Sequence, residues 1–78
     1  MNDDELKLYY QMYLDCWQFT KHHKDVQNTE EWWRETNRTG HDLYEKYKDL
    51  NETVIKAIIV GMLWKFQDEV KGQEVQNG

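Results

Sequence analysis

The sequence contains no proline, four glycines and a single cysteine. Proline and glycine are the residues that most often interrupt helices, so their scarcity favours a helical fold over one built from strands and tight turns. The single cysteine, Cys16, excludes an internal disulfide and a zinc site of the cysteine-rich type. The fold must therefore be stabilised by packing, as is usual for proteins of a reducing compartment.

Long apolar runs are also missing. The longest, residues 57–64, is shorter than the roughly 20 residues that cross a bilayer. Three of the first five residues are acidic, where a signal peptide would be basic. With 38% hydrophobic and 32% charged residues in a chain of 78, the composition is typical of one small globular domain. We therefore expect a soluble, cytoplasmic protein.

The chain has fewer basic than acidic residues, with 10 lysines and arginines against 15 aspartates and glutamates and a net charge of −5. This balance argues against a broad basic face that would bind nucleic acid or an anionic membrane. The basic residues that stand together form two short groups, Lys21 with Lys24 and Arg34 with Arg38. Many of the carboxylates fall at predicted helix starts, where the helix dipole accounts for them.

The spacing of apolar residues predicts three helices, at about residues 3–24, 29–48 and 52–71. Asn28, followed by Glu31 at the spacing of a capping box, is the predicted cap of the second helix. Asn51 is the predicted cap of the third helix, and Gly72 is its predicted stop. Residues 72–78 should form a frayed tail.

Two segments leave an alternative open. Gly40 either breaks the second helix into two short helices or forms, with Thr36, a notch at which another helix crosses closely; the unbroken periodicity favours the crossing. The β-branched residues at 57–60 would also suit a buried strand. The apolar residues from Ile55 to Val70 keep helical phase well beyond the length of a strand, so we predict a helix there.

These elements predict an all-α fold in which a single domain, residues 3–71, forms a three-helix antiparallel (up-down-up) bundle of either handedness. The predicted core consists of Tyr13, Trp17, Trp33, Leu43, Tyr47, Ile55, Ile58, Met62 and Phe66.

The first helix has more apolar residues than such a bundle needs. They cover about 240° of the helical wheel, whereas a helix of a bundle usually hides little more than about 100°. Partly exposed tyrosine and tryptophan rings are one explanation, and a surface between molecules is the other. We predict a homodimer, and the candidate interaction surface consists of Leu8, Met12, Phe19, Val60 and Trp64.

Residues that could support catalysis or bind a metal do not form a recognisable set. His22 and His23 are adjacent and point about 100° apart on a helix, so they cannot chelate one ion, and we expect both to be solvated. His41 and Glu45 have the spacing of a surface pair but lack further ligands. Cys16 lies among apolar residues, where burial makes a thiol inert. We predict that the protein is not an enzyme and uses no metal, cofactor or small-molecule substrate.

Three stretches carry a family resemblance: the acidic and tryptophan-rich residues 30–35, the Leu-Tyr-Glu-Lys-Tyr end of residues 42–47, and the apolar residues 54–63. With them the chain resembles, over about residues 6–70, small uncharacterised helical proteins encoded by phages and integrated mobile elements of gut Firmicutes. The resemblance implies no activity and no site residues, but it points to an accessory protein that acts by binding.

We therefore expect a non-enzymatic interaction module that forms a homo-oligomer or binds another protein. The alternative is a small phage-type regulator that acts on host nucleic-acid machinery, either by direct contact through its basic residues or by acidic mimicry of nucleic acid.

Overall fold

The computed structural model describes residues 1–77, with side chains as far as residue 73. This part of the chain contains two helices, α1 (Asp3–His22) and α2 (Glu30–Asn77), and no strand. The predicted helical class is confirmed, and α1 has close to its predicted bounds. No helix in the described residues combines the length and the apolar character needed to span a bilayer.

The predicted three-helix up-down-up bundle is wrong, because the second and third predicted helices belong to one helix, α2. A turn was expected at residues 49–51, but helical structure continues through this segment. Asn51 is the one residue inside α2 whose dihedral angles are not helical, with φ −165° and ψ 96°. The change in backbone conformation at Asn51 therefore stands where a turn between two helices was predicted.

That change bends α2 back on itself. The ring centroids of Trp32 and Phe66 are 5.6 Å apart, and a Cβ atom placed on Gly40 would lie 3.2 Å from a methyl carbon of Ile59. Both pairs are nearly symmetric about Asn51. The N-terminal arm of α2 (residues 30–50) and its C-terminal arm (residues 52–77) therefore pack against each other in opposite directions.

Asn51 holds this bend with both ends of its side-chain amide. Its Oδ1 accepts a hydrogen bond from the backbone N–H of Val54 at 3.1 Å, as predicted for a cap. Its Nδ2 donates to the hydroxyl of Tyr9 at 3.0 Å, which ties the bend to α1. Asn51 thus joins three parts of the chain: the two arms of α2 and the N-terminal half of α1.

Contacts along α1 show its direction. Tyr9 contacts the bend, Asp15 binds Lys46, and the ring of Phe19 lies 6.2 Å from that of Phe66. Helix α1 therefore runs antiparallel to the N-terminal arm and parallel to the C-terminal arm.

Side-chain caps begin both helices. Asn2 Oδ1 accepts the N–H of Glu5 at 2.8 Å at the start of α1. Thr29 Oγ1 accepts the N–H of Trp32 at 3.1 Å at the start of α2. The cap of α2 therefore lies one residue after the predicted Asn28.

One apolar core is shared by α1, both arms of α2 and the connection between the helices. The buried apolar residues are Met12, Cys16, Phe19, Val26, Leu43, Tyr47, Ile55, Ile59, Phe66 and Val70. Leu43, Tyr47, Ile55 and Phe66 confirm the prediction, and Trp33, Ile58 and Met62 pack against this core while partly exposed. Tyr13 and Trp17 were predicted in the core, but they are exposed.

The close crossing predicted at Gly40 is confirmed. The helix continues through Gly40 without a break, and Thr36, one turn earlier, is completely buried. The Thr36 hydroxyl donates to the carbonyl oxygen of Trp32 at 2.7 Å, so its polar group is satisfied inside the contact. The missing side chain at Gly40 leaves room for Ile59 and Phe19.

The C-terminal end of α2 differs from the expectation. The helical backbone continues to Asn77, past the end predicted near Lys71. Within the tail predicted to fray, the side chains of residues 74–77 and all of Gly78 lie outside the described residues.

The two hydrogen bonds of Asn51 generate a prediction. Replacement Asn51→Ala should lower the free energy of unfolding by about 1–3 kcal/mol, because it removes a helix cap and a hydrogen bond to α1. Urea denaturation followed by circular dichroism measures the change. Asn37→Ala, at an exposed position of the same helix, is the matched control and should not lower the free energy of unfolding. An equal decrease in both variants would contradict the role given to Asn51.

The glycines of α2 provide a second test. Gly40→Leu should lower the free energy of unfolding by about 1–3 kcal/mol, because overpacking against Ile59 outweighs the gain in helix propensity. Gly61 has nothing within 4 Å of the position of a Cβ, so Gly61→Ala should stabilise the protein by about 0.5–1 kcal/mol. Thermal unfolding of the two variants should therefore shift in opposite directions.

Candidate interaction surface

The five residues of the predicted interaction surface do not share one surface. Met12 and Phe19 are 0% and 5% exposed and belong to the core, so they are not available to a partner. Leu8, Val60 and Trp64 are 55%, 41% and 60% exposed. The prediction therefore identified apolar residues on the outside of both helices, but it reversed the two faces of α1.

The reversal has a simple cause, because α1 is apolar on both of its faces. Met12, Cys16 and Phe19 fall within about 60° of the helical wheel, and this face packs on α2. Tyr13 and Trp17 lie on the other side. Tyrosine and tryptophan need a hydrogen-bond partner when buried, whereas Met, Cys and Phe do not. That difference is the signal in the sequence that distinguishes the two faces.

The outward face of α1 carries a continuous apolar stripe. We call it the α1 stripe, and it consists of Leu6, Tyr10, Tyr13, Leu14 and Trp17, which are 57%, 68%, 53%, 37% and 58% exposed. Four of the five residues follow one another at intervals of four, three and four positions and fall within about 60° of the wheel, with Leu14 at the edge. This spacing is the one by which paired helices form a seam.

A smaller apolar area lies on the C-terminal arm. We call it the Trp64 patch, and it consists of Ala57, Val60, Gly61 and Trp64, all exposed. It contains one large ring, whereas the α1 stripe contains three. The α1 stripe is therefore the larger candidate for binding another macromolecule.

The two ends of α1 carry opposite charges. Asp3, Asp4 and Glu5 lie in its first turn and Lys21 in its last, with Lys24 just beyond. Among the described residues, none of these five groups forms an ion pair within the chain. Their charges remain available at the two ends of the α1 stripe.

The other basic group behaves differently. Arg34 contacts Glu30 at 2.8 Å, at the four-residue spacing that favours ion pairs on a helix, and Arg38 contacts Glu35 at 2.6 Å and Asp42 at 3.5 Å. Both guanidinium groups are therefore paired with carboxylates of their own helix. This arrangement does not present the free basic strip that contact with phosphate groups would need.

A polar cluster joins α1 to the N-terminal arm beside an open groove. Asp15 accepts hydrogen bonds from Lys46 Nζ at 2.8 Å, from Gln11 Nε2 at 3.1 Å and from the Tyr47 hydroxyl. Partial burial acts to raise the pKa of Asp15, but these hydrogen bonds and the charge of Lys46 hold it below its usual value. The contact with Asp15 raises the pKa of Lys46. The cluster thus orients α1 on α2.

Cys16 lies next to this cluster but faces the core. It is 6% exposed, and burial together with the negative charge of Asp15 raises the pKa of its thiol. The predicted burial of Cys16 is confirmed. A protonated thiol in the core is a poor nucleophile and a poor metal ligand.

The histidines occupy different environments. His22 is exposed, as predicted, but the prediction that His23 is solvated is wrong, because it is 4% exposed. The Nδ1 of His23 donates to the carbonyl oxygen of Phe19 at 2.8 Å, and its ring packs against Trp32 and Phe66. His23 closes one end of the core with a satisfied polar group.

The predicted surface pair of His41 with Glu45 is present, at 3.8 Å. Within the described residues, no three histidine, cysteine or acidic side chains come together in a way that could hold a metal ion.

The chain has no match among models of known protein families, curated proteins or solved structures. The assignment of a function therefore depends on the surfaces described above.

The polar cluster of Asp15 predicts a dependence of stability on pH. The pKa of Asp15 is lower in the folded protein than in the unfolded chain. The ionised carboxylate therefore contributes fully to the free energy of unfolding above about pH 4, and this contribution is lost as the pH falls further. Asp15→Asn should therefore lower the free energy of unfolding at pH 7 by about 1–3 kcal/mol, and the difference from wild type should shrink at pH 3.

Urea denaturation at the two pH values measures this difference. Asp68→Asn, at an exposed position of α2, is the control and should change stability little at either pH. A difference between wild type and Asp15→Asn that stays constant from pH 7 to pH 3 would contradict the role of the carboxylate.

Proposed function

We propose that the protein is a non-enzymatic interaction module that binds another protein chain through the α1 stripe. The observation that carries this proposal is the exposure of three aromatic rings and two leucines along one face of a helix whose opposite face is fixed in the core. Large apolar patches on small proteins are usually sites of association.

The composition of the α1 stripe supports this function. Tyrosine and tryptophan are enriched among the residues that contribute most to protein–protein binding, because each buries a large area and still presents a polar atom. The aromatic members Tyr10, Tyr13 and Trp17 share the face with two leucines. Because α1 is held by Asp15 and Asn51, its rings occupy defined positions before a partner binds.

The roles of the reactive groups also support binding rather than catalysis. Asp15 joins α1 to α2, His23 closes the core, and Cys16 is buried as a protonated thiol. Each of these groups is explained by its contribution to the fold. The resemblance to helical proteins of phages and mobile elements suggests that the module is an accessory protein of such an element.

Regulation of nucleic-acid machinery through Arg34 and Arg38 is less well supported. Both residues are paired with carboxylates of α2, so their charges are largely neutralised locally. We therefore favour association with a protein.

Photo-crosslinking in living cells tests the proposal. A photoreactive amino acid at position 10, in the middle of the α1 stripe, should give a discrete adduct with a protein on irradiation. The same amino acid at the exposed position 31, on the N-terminal arm, is the control and should give none. Introducing Trp17→Arg into the position-10 chain should abolish the adduct.

Three results would each contradict the proposal. The first is the absence of an adduct from position 10, the second is the same adduct from positions 10 and 31, and the third is persistence of the adduct in the Trp17→Arg chain.

A further inference from the structure

We infer that the partner of the α1 stripe is a second copy of this chain, whose own α1 packs antiparallel against the first across a two-fold axis. The inference rests on the proposed function and identifies the partner. It depends on three properties of the stripe: its register, the charges at its ends and its area.

The register of the stripe is complementary to itself when the helix is reversed. With the two-fold axis midway between Tyr10 and Tyr13, Tyr10 of each copy lies opposite Tyr13 of the other, and Leu6 lies opposite Trp17. Each of these two pairs places an a position of one helix beside a d position of the other, which is the arrangement of antiparallel helix pairs. Each of these two pairs contains at least one aromatic ring, and the contact is the same on both copies, as a two-fold interface demands.

The charges select the antiparallel direction. Reversal places Asp3 of one copy near Lys21 of the other, at both ends of the seam. Neither group has an ion-pair partner within the described residues of its own chain, so pairing between copies competes with no internal contact. A parallel pair would place acid beside acid and base beside base, which is unfavourable.

The available area is sufficient for a weak to moderate dimer. Aromatic side chains bury about 150–250 Å² each when fully covered, and the three in the stripe are more than half exposed. With the two leucines, one copy offers roughly 500 Å² and a pair buries about 1,000 Å², the lower limit for a specific interface.

The Trp64 patch offers a smaller apolar area than the α1 stripe, because it has one large ring among small residues. Trp64 is nevertheless as exposed as Trp17, at 60% against 58%. This equality makes Trp64 a matched control for Trp17.

Sedimentation equilibrium of the full chain over a wide concentration range tests self-association. Wild type should be a monomer–dimer system. Tyr10→Glu and Trp17→Arg should each raise the dimer dissociation constant by at least about 30-fold, the effect of losing a central interface residue. Trp64→Arg should leave it unchanged. Circular dichroism should show wild-type helicity in all three variants, because the replaced side chains lie outside the core.

Disulfide trapping tests the direction of the two helices. In a Cys16→Ala background, a chain with Asp3→Cys is mixed with a chain with Thr20→Cys and oxidised. The antiparallel pair brings positions 3 and 20 of different copies together, so the mixed disulfide should predominate. Two copies of the same variant would hold their thiols about 25 Å apart, well beyond disulfide reach.

Three outcomes would overturn the inference. A wild-type monomer at every concentration would do so, while a position-10 crosslink to a different protein would still support the proposed function. Dimerisation lost in Trp64→Arg but kept in Trp17→Arg would move the interface to the Trp64 patch. Disulfides joining identical positions, 3 to 3 and 20 to 20, would show a parallel pair.

Discussion

The bend of α2 at Asn51 is the constraint on which the rest of the structure depends. A straight helix of 48 residues would be about 70 Å long, and it would leave its apolar side without a partner. The extended backbone of Asn51 instead brings the arms together, so that Gly40 meets Ile59 and Trp32 meets Phe66. The side chain of Asn51 caps the second arm and binds Tyr9. One residue therefore specifies the path of α2 and helps to place α1.

The arms of α2 can bury only one face of α1, and that limit produces the exposed surface. Met12, Cys16 and Phe19 fill the available space, and Asp15 fixes the rotation of α1 through Lys46 and Tyr47. The remaining apolar side chains of α1 must then face outward. The α1 stripe is thus a consequence of having one helix that is apolar on two faces and one neighbour that covers a single face.

Local chemistry made much of the fold predictable from sequence. The cap at Asn51, the pair of Arg34 with Glu30 and the notch that Thr36 and Gly40 form on α2 each depend on residues near one another in the chain. The separation of the second and third helices was mispredicted, because a capping residue with helix on both sides has the same local pattern as a turn. The candidate surface was predicted only in part. Apolar periodicity shows that α1 has two apolar faces but does not distinguish them. The polar atoms of Tyr13 and Trp17 favour exposure of their face, and packing with distant residues of α2 completes the choice.

The confinement of the stripe to one face of one helix limits the size of an assembly. In an antiparallel pair, each stripe is covered completely by its counterpart, and neither copy has a second equivalent surface to offer. Such an interface closes on itself, whereas a head-to-tail contact between two different surfaces would add copies without limit and produce a filament. The pairing that we propose for α1 would therefore give a finite particle of two chains.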